Sequence, residues 1–459
     1  MFKRPWKYPG MCTGRPIASG SDMPVDRSYK SFVSYKKIQK MKKTPIQFLV
    51  KCGKYLTAIA GIVYIFSACT KSSNTVTTGP QLPAEAIRGT TLGAGNIKGV
   101  MLSDSTYTVN GDLSVLPGDT LTIQAGATIN MTGNYAFLVQ GIIQTLGTKA
   151  KPITITSTVS QTPGQWRGMQ CDSAKAVTFL WTKFLWAGGP DLVGGGTTET
   201  ISVSMPNIPV DVEDCTFIGG QDNCIGVTNV CPVKILRNSM YGNGTDDGDI
   251  VDFHSGVSGV VAYNVIWGSA GSAIKIFTSK TAPVVETNCA VYNNTCIESG
   301  FRRGAGEPGR GILIDAYSKA RVYNNLLVNN YWSLDISSTS DIANTQYGYN
   351  YFYVTVDSLR QFMYPQGSPG MIQSSDIIDS VHLGAHNPMF VGYTVPPNPS
   401  NRSIPTNFDF HLQAGSPALG KGFTGAVALP SGLSGSIPLP SGDIGAYVTD
   451  TTGGKGNRH

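Results

Sequence analysis

The chain has 459 residues, a formal net charge of +6, only 14% charged residues and 54 glycines. This composition is poor in helix formers and rich in strand and turn residues, so it argues against a helical protein and favours an all-β chain. Residues 1–68 hold most of the excess positive charge, and residues 69–459 carry 22 basic and 27 acidic side chains, a net charge of −5. Nucleic-acid binding requires clustered positive charge on the folded domain, so no nucleic-acid partner is expected.

A secretory signal is predicted over residues 41–68. Met41 is followed by four lysines, an apolar run over residues 56–66 and then small residues, which is the order of a signal peptide. The apolar run is shorter than the roughly 20 residues of a transmembrane helix, although an uncleaved signal anchor is the alternative. Residues 1–40 have no structural role in this scheme. They are interpreted as an over-called start, or else as a basic extension.

The end of the signal resembles a bacterial lipobox. Residues 66–69 read Phe-Ser-Ala-Cys, and the resemblance implies that Cys69 is lipidated and anchors the protein in a membrane. Thr70 stands where an inner-membrane retention signal would place Asp, so the resemblance implies the outer membrane. The following residues lack the acidic run of many surface lipoproteins, which leaves a periplasmic or a cell-surface orientation open. Residues 69–96, polar and punctuated by Gly and Pro, are predicted to form a flexible tether.

Short alternating strands and a recurring asparagine predict a solenoid from residue 97 onwards. Four similar segments share an Asn at spacings of 26, 30 and 31 residues, and Asp214 lies 24 residues before the first of them. A period in the twenties with short strands is typical of a β-helix, and residues 97–345 would make about ten turns. Asn tolerates left-handed backbone, so we place it at a sharp turn, where stacked amides form a structural ladder. The predicted ladder residues are Asn238, Asn264, Asn294 and Asn325.

The N-terminal repeats carry a family resemblance. Residues 117–129, 138–143, 151–156 and 166–168, together with tail segments 408–420 and 442–447, resemble right-handed parallel β-helix repeat lipoproteins of the Bacteroidetes, in the pectin-lyase-like fold group. The resemblance implies an all-β, single-stranded right-handed parallel β-helix. Residues 346–459 are then the final turns and a loop-rich C-terminal cap. The group mixes lyases, hydrolases and adhesins, so the resemblance does not fix an activity.

Six cysteines remain in the exported part, where disulfides can form. Cys289 with Cys296, or Cys224 with Cys231, are candidates for local bridges. The alternative, which we prefer, is that the cysteines are buried thiols that fill inward columns as small apolar residues. The six are Cys171, Cys215, Cys224, Cys231, Cys289 and Cys296.

A candidate site is predicted around Lys275. Pectate-lyase-like members of the resembled group hold calcium with carboxylates and use a Lys or Arg base. Counting eleven residues from each ladder Asn puts Asp249 and Lys275 in one column, one turn apart, with Asp335 near the same column. Three arginines lie on an expanded loop, residues 299–311, that is suited to grip an anionic sugar. The candidates are Lys275 and Arg310 for catalysis, Asp249, Asp252 and Asp247 for calcium, and Asp335, Arg302, Arg303 and Trp332 for ligand binding.

The same residues have a purely structural interpretation. Asp249 and Lys275 would then form an exposed ion pair worth less than about 1 kcal/mol, and residues 246–248 would be only a turn. Three functions are therefore kept. The preferred one is a monomeric cell-envelope lipoprotein that binds or presents polysaccharide without catalysis. The alternatives are a calcium-dependent polysaccharide lyase that acts on an acidic glycan by β-elimination with a Lys base, and an adhesin-like surface module.

Overall fold

The structure is a computed structural model. It describes residues 85–242, 244, 248–279, 284–303, 307–364, 369–378, 383–397, 399 and 408–449. The predicted signal peptide, the lipidation site Cys69, the extension before Met41 and the calcium candidate Asp247 lie outside these residues. Within the described part, no helix combines the length and apolarity needed to cross a membrane.

The described chain is a right-handed parallel β-helix, as the sequence predicted, with three long parallel sheets and almost no helix. Each coil contributes one strand to each sheet, so strand n pairs with strand n + 3, except at the end of the twelve-stranded sheet, where the last two strands are consecutive in the chain. Sheets 2 and 3 contain ten strands each, which confirms the predicted number of turns. A short 3-10 helix (Ile342–Asn344) lies within the last coil, and helix α1 (Asp357–Arg360) follows that coil.

The strand bounds define the three sheets. Sheet 1 contains β1 (Thr91–Leu92), β4 (Thr106–Val109), β7 (Thr128–Met131), β10 (Ile153–Ser157), β13 (Thr182–Leu185), β16 (Thr216–Ile218), β19 (Ser239–Tyr241), β22 (Val265–Trp267), β25 (Thr295–Ile297), β28 (Leu326–Val328), β31 (Tyr351–Tyr353) and β32 (Ile377–Ile378). Sheet 2 contains β2 (Gly95–Asn96), β5 (Leu113–Val115), β8 (Phe137–Val139), β11 (Met169–Gln170), β14 (Ile201–Val203), β17 (Ile225–Thr228), β20 (Val251–His254), β23 (Ile274–Phe277), β26 (Arg310–Ile314) and β29 (Trp332–Ile336). Sheet 3 contains β3 (Gly99–Met101), β6 (Thr120–Gln124), β9 (Ile142–Leu146), β12 (Ala176–Leu180), β15 (Val210–Glu213), β18 (Pro232–Leu236), β21 (Ser258–Ala262), β24 (Thr287–Tyr292), β27 (Ser318–Tyr323) and β30 (Gln346–Gly348).

The core lies inside the coil, because alternate residues of each strand point inward. Strand β10 shows the pattern, with Ile153, Ile155 and Ser157 buried and the threonines between them only half-buried. Inward residues of successive coils stack in register columns. One such column reads Gly259, Cys289 and Ala320, and a Cβ added at Gly259 would lie only 2.8 Å from the ring of Phe253. All six cysteines of the described chain are buried free thiols, and no disulfide is present among the described residues.

The four predicted ladder asparagines are aligned and buried. The Asn264 amide nitrogen donates to Asn294 Oδ1 at 2.9 Å, and Asn294 makes the same bond to Asn325. Each Oδ1 also accepts the backbone N–H of the preceding ladder residue, as between Asn264 and Asn294 at 3.1 Å. The ladder continues beyond the predicted set to Asn350, whose backbone N–H is capped by Asp376.

Two details of the predicted turn are wrong. Asp214 is in register with Arg237, and Cys215 occupies the ladder position below Asn238. The left-handed backbone lies one residue before each ladder Asn, with φ of 56°, 61°, 52° and 56° at Arg237, Tyr263, Asn293 and Asn324. The physical reason is that the ladder amide must point inward to reach the next coil. The sharp change of direction therefore falls on the residue before it.

The ends of the β-helix differ from the predicted boundaries. Strands β1 and β2 lie inside the region predicted as tether and pair with β4 and β5, so the first coil begins before residue 97. At the other end, the segment 408–449 packs on the outside of the coil. Side chains of Asn293 and Asn324 bond its backbone, and Tyr292 donates to the Pro438 carbonyl at 2.6 Å. This segment covers an apolar strip on the outer face of sheet 3.

Candidate functional site

The predicted site residues lie on the outer face of sheet 2. Gly226, Asp252, Lys275, Leu313 and Asp335 form one register column across β17, β20, β23, β26 and β29. The prediction that Asp249 shares the column of Lys275 is wrong, because Asp252 is the register partner. Residue counting failed because the segment between the ladder Asn and sheet 2 is three residues longer before β20 than before β23.

Lys275 is nevertheless bonded to both carboxylates. Its Nζ lies 3.1 Å from Asp249 Oδ2 and 3.5 Å from Asp252 Oδ2, and 5.1 Å from the centre of the Phe277 ring. Burial alone would lower the pKa of Lys275, but the two carboxylates outweigh it and hold the pKa above its ordinary value. The ammonium is therefore cationic at neutral pH. The pair is largely buried, so the interpretation as an exposed ion pair does not describe it.

Both carboxylates are surrounded by donors. Asp249 Oδ1 accepts the Ser272 backbone N–H and lies 3.5 Å from Arg303 Nη1. Burial raises the pKa of Asp249 in spite of the nearby cations Lys275 and Arg303. Asp252 Oδ1 lies 2.7 Å from His254 Nε2, and its Oδ2 is shared between Lys275 and the side-chain amide of Asn223. Burial would raise the pKa of Asp252, but the contacts with His254 and Lys275 hold it below its ordinary value.

These contacts do not fit a calcium site. Calcium needs six or more oxygen ligands, and every carboxylate oxygen of Asp249 and Asp252 already faces a protein donor or cation. Across the described residues, no three His, Cys, Asp or Glu side chains are grouped so that they could hold a metal ion. The third predicted ligand, Asp247, is outside the described residues.

Glu199 is a member of the site that the sequence analysis did not find. Its Oε1 accepts the side-chain amide of Asn223 at 3.0 Å, and the same amide donates to Asp252 at 3.3 Å. The carboxyl group lies over Gly226, where an added Cβ would approach Glu199 Oε2 to 2.0 Å. Burial raises the pKa of Glu199 to about 8. A single Glu at the end of a Gly- and Thr-rich loop gives no sequence signal, and only the alignment of coils reveals it.

A second cluster lies one to two coils beyond Lys275 on the same face. Arg310 Nε donates to Asp335 Oδ2 at 3.0 Å, and the guanidinium carbon lies 4.5 Å from the centre of the Trp332 ring. Phe362 stacks on Trp332 with ring centres 5.8 Å apart. Arg310 was predicted to lie on the loop but is the first residue of β26, because its backbone is in register with Trp332 of β29. This cluster therefore has a rigid support.

The remaining two arginines have different surroundings. Arg303 lies 3.5 Å from Asp249 and 3.7 Å from Glu307, so it belongs to the Lys275 cluster. Arg302 donates to the carbonyl oxygens of Gly244 and Gly268 at 2.8 and 2.9 Å and braces the loop against two neighbouring turns. The structure thus brings Lys275, Asp249, Asp252 and Arg303 together, and places Arg310, Asp335 and Trp332 in a separate group.

A family model agrees with the fold. Residues 95–178 match a family model described as a pectate-lyase like beta helix domain. The solved structure titled "Crystal structure of pectate lyase Pel9A" is similar at 14% identity over 73% of this chain and 88% of that chain, with a TM-score of 0.35. A search of curated proteins gives no match. The family match supports the predicted pectin-lyase-like fold group, while the Bacteroidetes lipoprotein origin stays a prediction.

Proposed function

We propose that this protein is a cell-envelope lipoprotein whose β-helix binds or presents polysaccharide along the outer face of sheet 2, without catalysis. A β-helix of the pectate-lyase-like type supports a polysaccharide-related function in general. The observation that carries the proposal is the Arg310 cluster. The half-buried Arg310 guanidinium is held by Asp335 and stacked on the half-buried Trp332 ring, so a polar and an aromatic group are fixed side by side on ordered strands. Such combinations of aromatic faces and fixed polar groups suit sugar recognition.

The ion pairs at Lys275 favour binding over catalysis. A general base must be unprotonated at the working pH, and the two carboxylates hold Lys275 in its charged form. The same contacts occupy the oxygens that a catalytic cation would need. The cluster is therefore better suited to stabilise the outer face of sheet 2 than to abstract a proton.

Membrane attachment through Cys69 is part of the proposal and rests on the signal sequence alone. We expect outer-membrane anchoring of a monomer, facing the periplasm or the cell surface. Incorporation of a labelled fatty acid into the expressed protein tests this step, with Cys69→Ala as the variant that should lose the label. Label retained in that variant would refute lipidation at this cysteine.

Binding is tested by affinity electrophoresis in gels that contain different polysaccharides. We expect at least one polysaccharide to retard the protein, and expect Trp332→Ala and Arg310→Ala to reduce the retardation. Lys151→Ala is the matched control, because Lys151 forms an exposed ion pair with Asp104 on another part of the coil. Equal retardation of all the variants would show that the outer face of sheet 2 is not the binding surface.

A calcium-dependent lyase that acts on an acidic glycan by β-elimination is the second candidate. The observation in its favour is a Lys with two carboxylates on the outer face of a β-helix. A lyase would release unsaturated products with ultraviolet absorbance from an acidic polysaccharide. That signal should disappear with a chelator and in Lys275→Ala. Its absence across a panel of acidic polysaccharides with added calcium would exclude this candidate.

A further inference from the structure

We propose that the polymer recognised by the outer face of sheet 2 is uncharged and rich in hydroxyl groups, not a polyanion. This inference rests on the proposed function and names the ligand class of the same face. Two observations carry it. The first is the register column that runs the length of sheet 2, and the second is that the basic side chains beside this column are paired with carboxylates.

Most members of the column are uncharged. Seven of its ten members are uncharged, and the other three, two carboxylates and one ammonium, sum to a negative charge. Successive members are about 4.8 Å apart along the coil axis. The members from Asn96 to Ser202, together with Lys275, are exposed or half-buried, so a polymer that follows the axis can touch these side chains. The members are Asn96, Ser114, Leu138, Gln170, Ser202, Gly226, Asp252, Lys275, Leu313 and Asp335.

Four basic side chains on this face are already matched with carboxylates. Lys275 contacts the carboxylates of Asp249 and Asp252. Arg303 contacts Asp249 and Glu307, and Arg310 is bonded to Asp335. On an earlier coil, Arg167 is bonded to Asp112. These cations are therefore committed to partners within the protein.

A polyanion would have to disrupt these pairs. Its charged groups would take a cation from a buried carboxylate such as Asp249, which would then lack compensation for its burial. The carboxylate of Asp252, which also contacts Lys275, would then repel the polymer, and so would Asp335 if Arg310 were displaced from it. A polyol avoids both penalties, because its hydroxyls can donate to carboxylates and accept from amides without displacing a cation. Selection against polyanions is thus built into the face by paired charges.

The test compares two polymers that differ only in charge. Polygalacturonate and its carboxyl-reduced form share the same linkages, so the full-length protein is titrated with each at low and high salt. We expect the reduced polymer to bind about tenfold more tightly or better, with little change between the salt concentrations. Tighter binding of the uronate, weakened by salt, would overturn the inference and leave the proposed function intact. Preference for a cationic chitosan over its acetylated form would also overturn it.

A variant tests the physical cause. Asp335→Asn keeps an oxygen acceptor but releases the charge of Arg310, so the ratio of the affinity for polygalacturonate to that for the reduced polymer should rise several-fold. Asp357→Asn is the matched control, since Asp357 pairs with Arg360 in a more exposed position on α1. An unchanged uronate affinity in Asp335→Asn would contradict the inference. If none of the four polymers binds, the proposed function itself fails.

Discussion

Lys275 bonds Asp249 at 3.1 Å although its register partner across the sheet is Asp252. The second carboxylate is brought in from the segment before β20, so one ammonium joins a strand residue and a loop residue. This geometry places the Lys275 cluster at the junction of sheet 2 with its loops. The stability of that junction therefore depends on charge compensation.

Removal of the Lys275 ammonium should destabilise the fold. Lys275→Met keeps the apolar stem but leaves Asp249 buried without its nearest cation, and breaking such a pair costs about 3 kcal/mol. Chemical denaturation measures the change in the free energy of unfolding. Asp249→Asn in the same chain should recover part of the loss, because the uncompensated charge is gone.

Lys151→Met is the matched control for this experiment. Lys151 and Asp104 are more than half exposed, so their pair contributes little and the variant should unfold like the parent protein. An equal loss of stability in both lysine variants would contradict a special role for burial at Lys275.

Loss of one ladder amide should be similarly costly. The Asn294 side chain donates to Val261 O and to Asn325 Oδ1, and accepts both the backbone and side-chain N–H of Asn264. Asn294→Ala leaves several of these buried groups unsatisfied, at about 1–3 kcal/mol each before relaxation. We expect a large fall in the midpoint of denaturation. Asn96→Ala, at an exposed position of β2, should leave the midpoint unchanged.

The pH dependence of stability should carry the signature of Glu199. Burial raises the pKa of its carboxyl from 4.5 to about 8, so the folded state holds a proton that the unfolded state has lost between these values. The contribution of Glu199 to stability is fully present below pH 4.5 and is lost as the pH rises through about 8. Thermal unfolding of the parent and Glu199→Gln should therefore agree near pH 4.5, with the variant more stable at pH 9. A constant difference across this range would contradict the raised pKa.

The six described cysteines should resist alkylation in the native state. They are buried thiols, and burial raises the pKa of Cys289 to about 12, so very little reactive thiolate forms at pH 8. Iodoacetamide followed by peptide mapping should find them unmodified in native protein and modified after unfolding. Peptides cross-linked through Cys289 and Cys296, or through Cys224 and Cys231, would instead establish disulfides.

The fold was predictable because its signals are local and repeated. The shared asparagines at 238, 264, 294 and 325 recur with a period in the twenties, and each coil repeats the same requirement for a sharp turn and an inward amide. Small columns such as Gly259, Cys289 and Ala320 follow from the same stacking. Periodicity therefore determined the architecture and the ladder. The preceding left-handed residue was missed, because the period fixes the spacing but not which residue turns.

The site was decided by the lengths of the loops between the strands. Lys275, Asp252 and Asp335 were predicted as site residues. The position in register with Lys275 was assigned to Asp249 instead of Asp252, because residue counting assumes segments of equal length. Glu199 joins the site only because Gly226, on the next coil, leaves room for its carboxyl. Sequence by itself determined the coil, since hydrophobic alternation and turn chemistry act over a few residues. Which charges meet on its surface depended on register between coils some 25 residues apart, and only the tertiary structure sets that register.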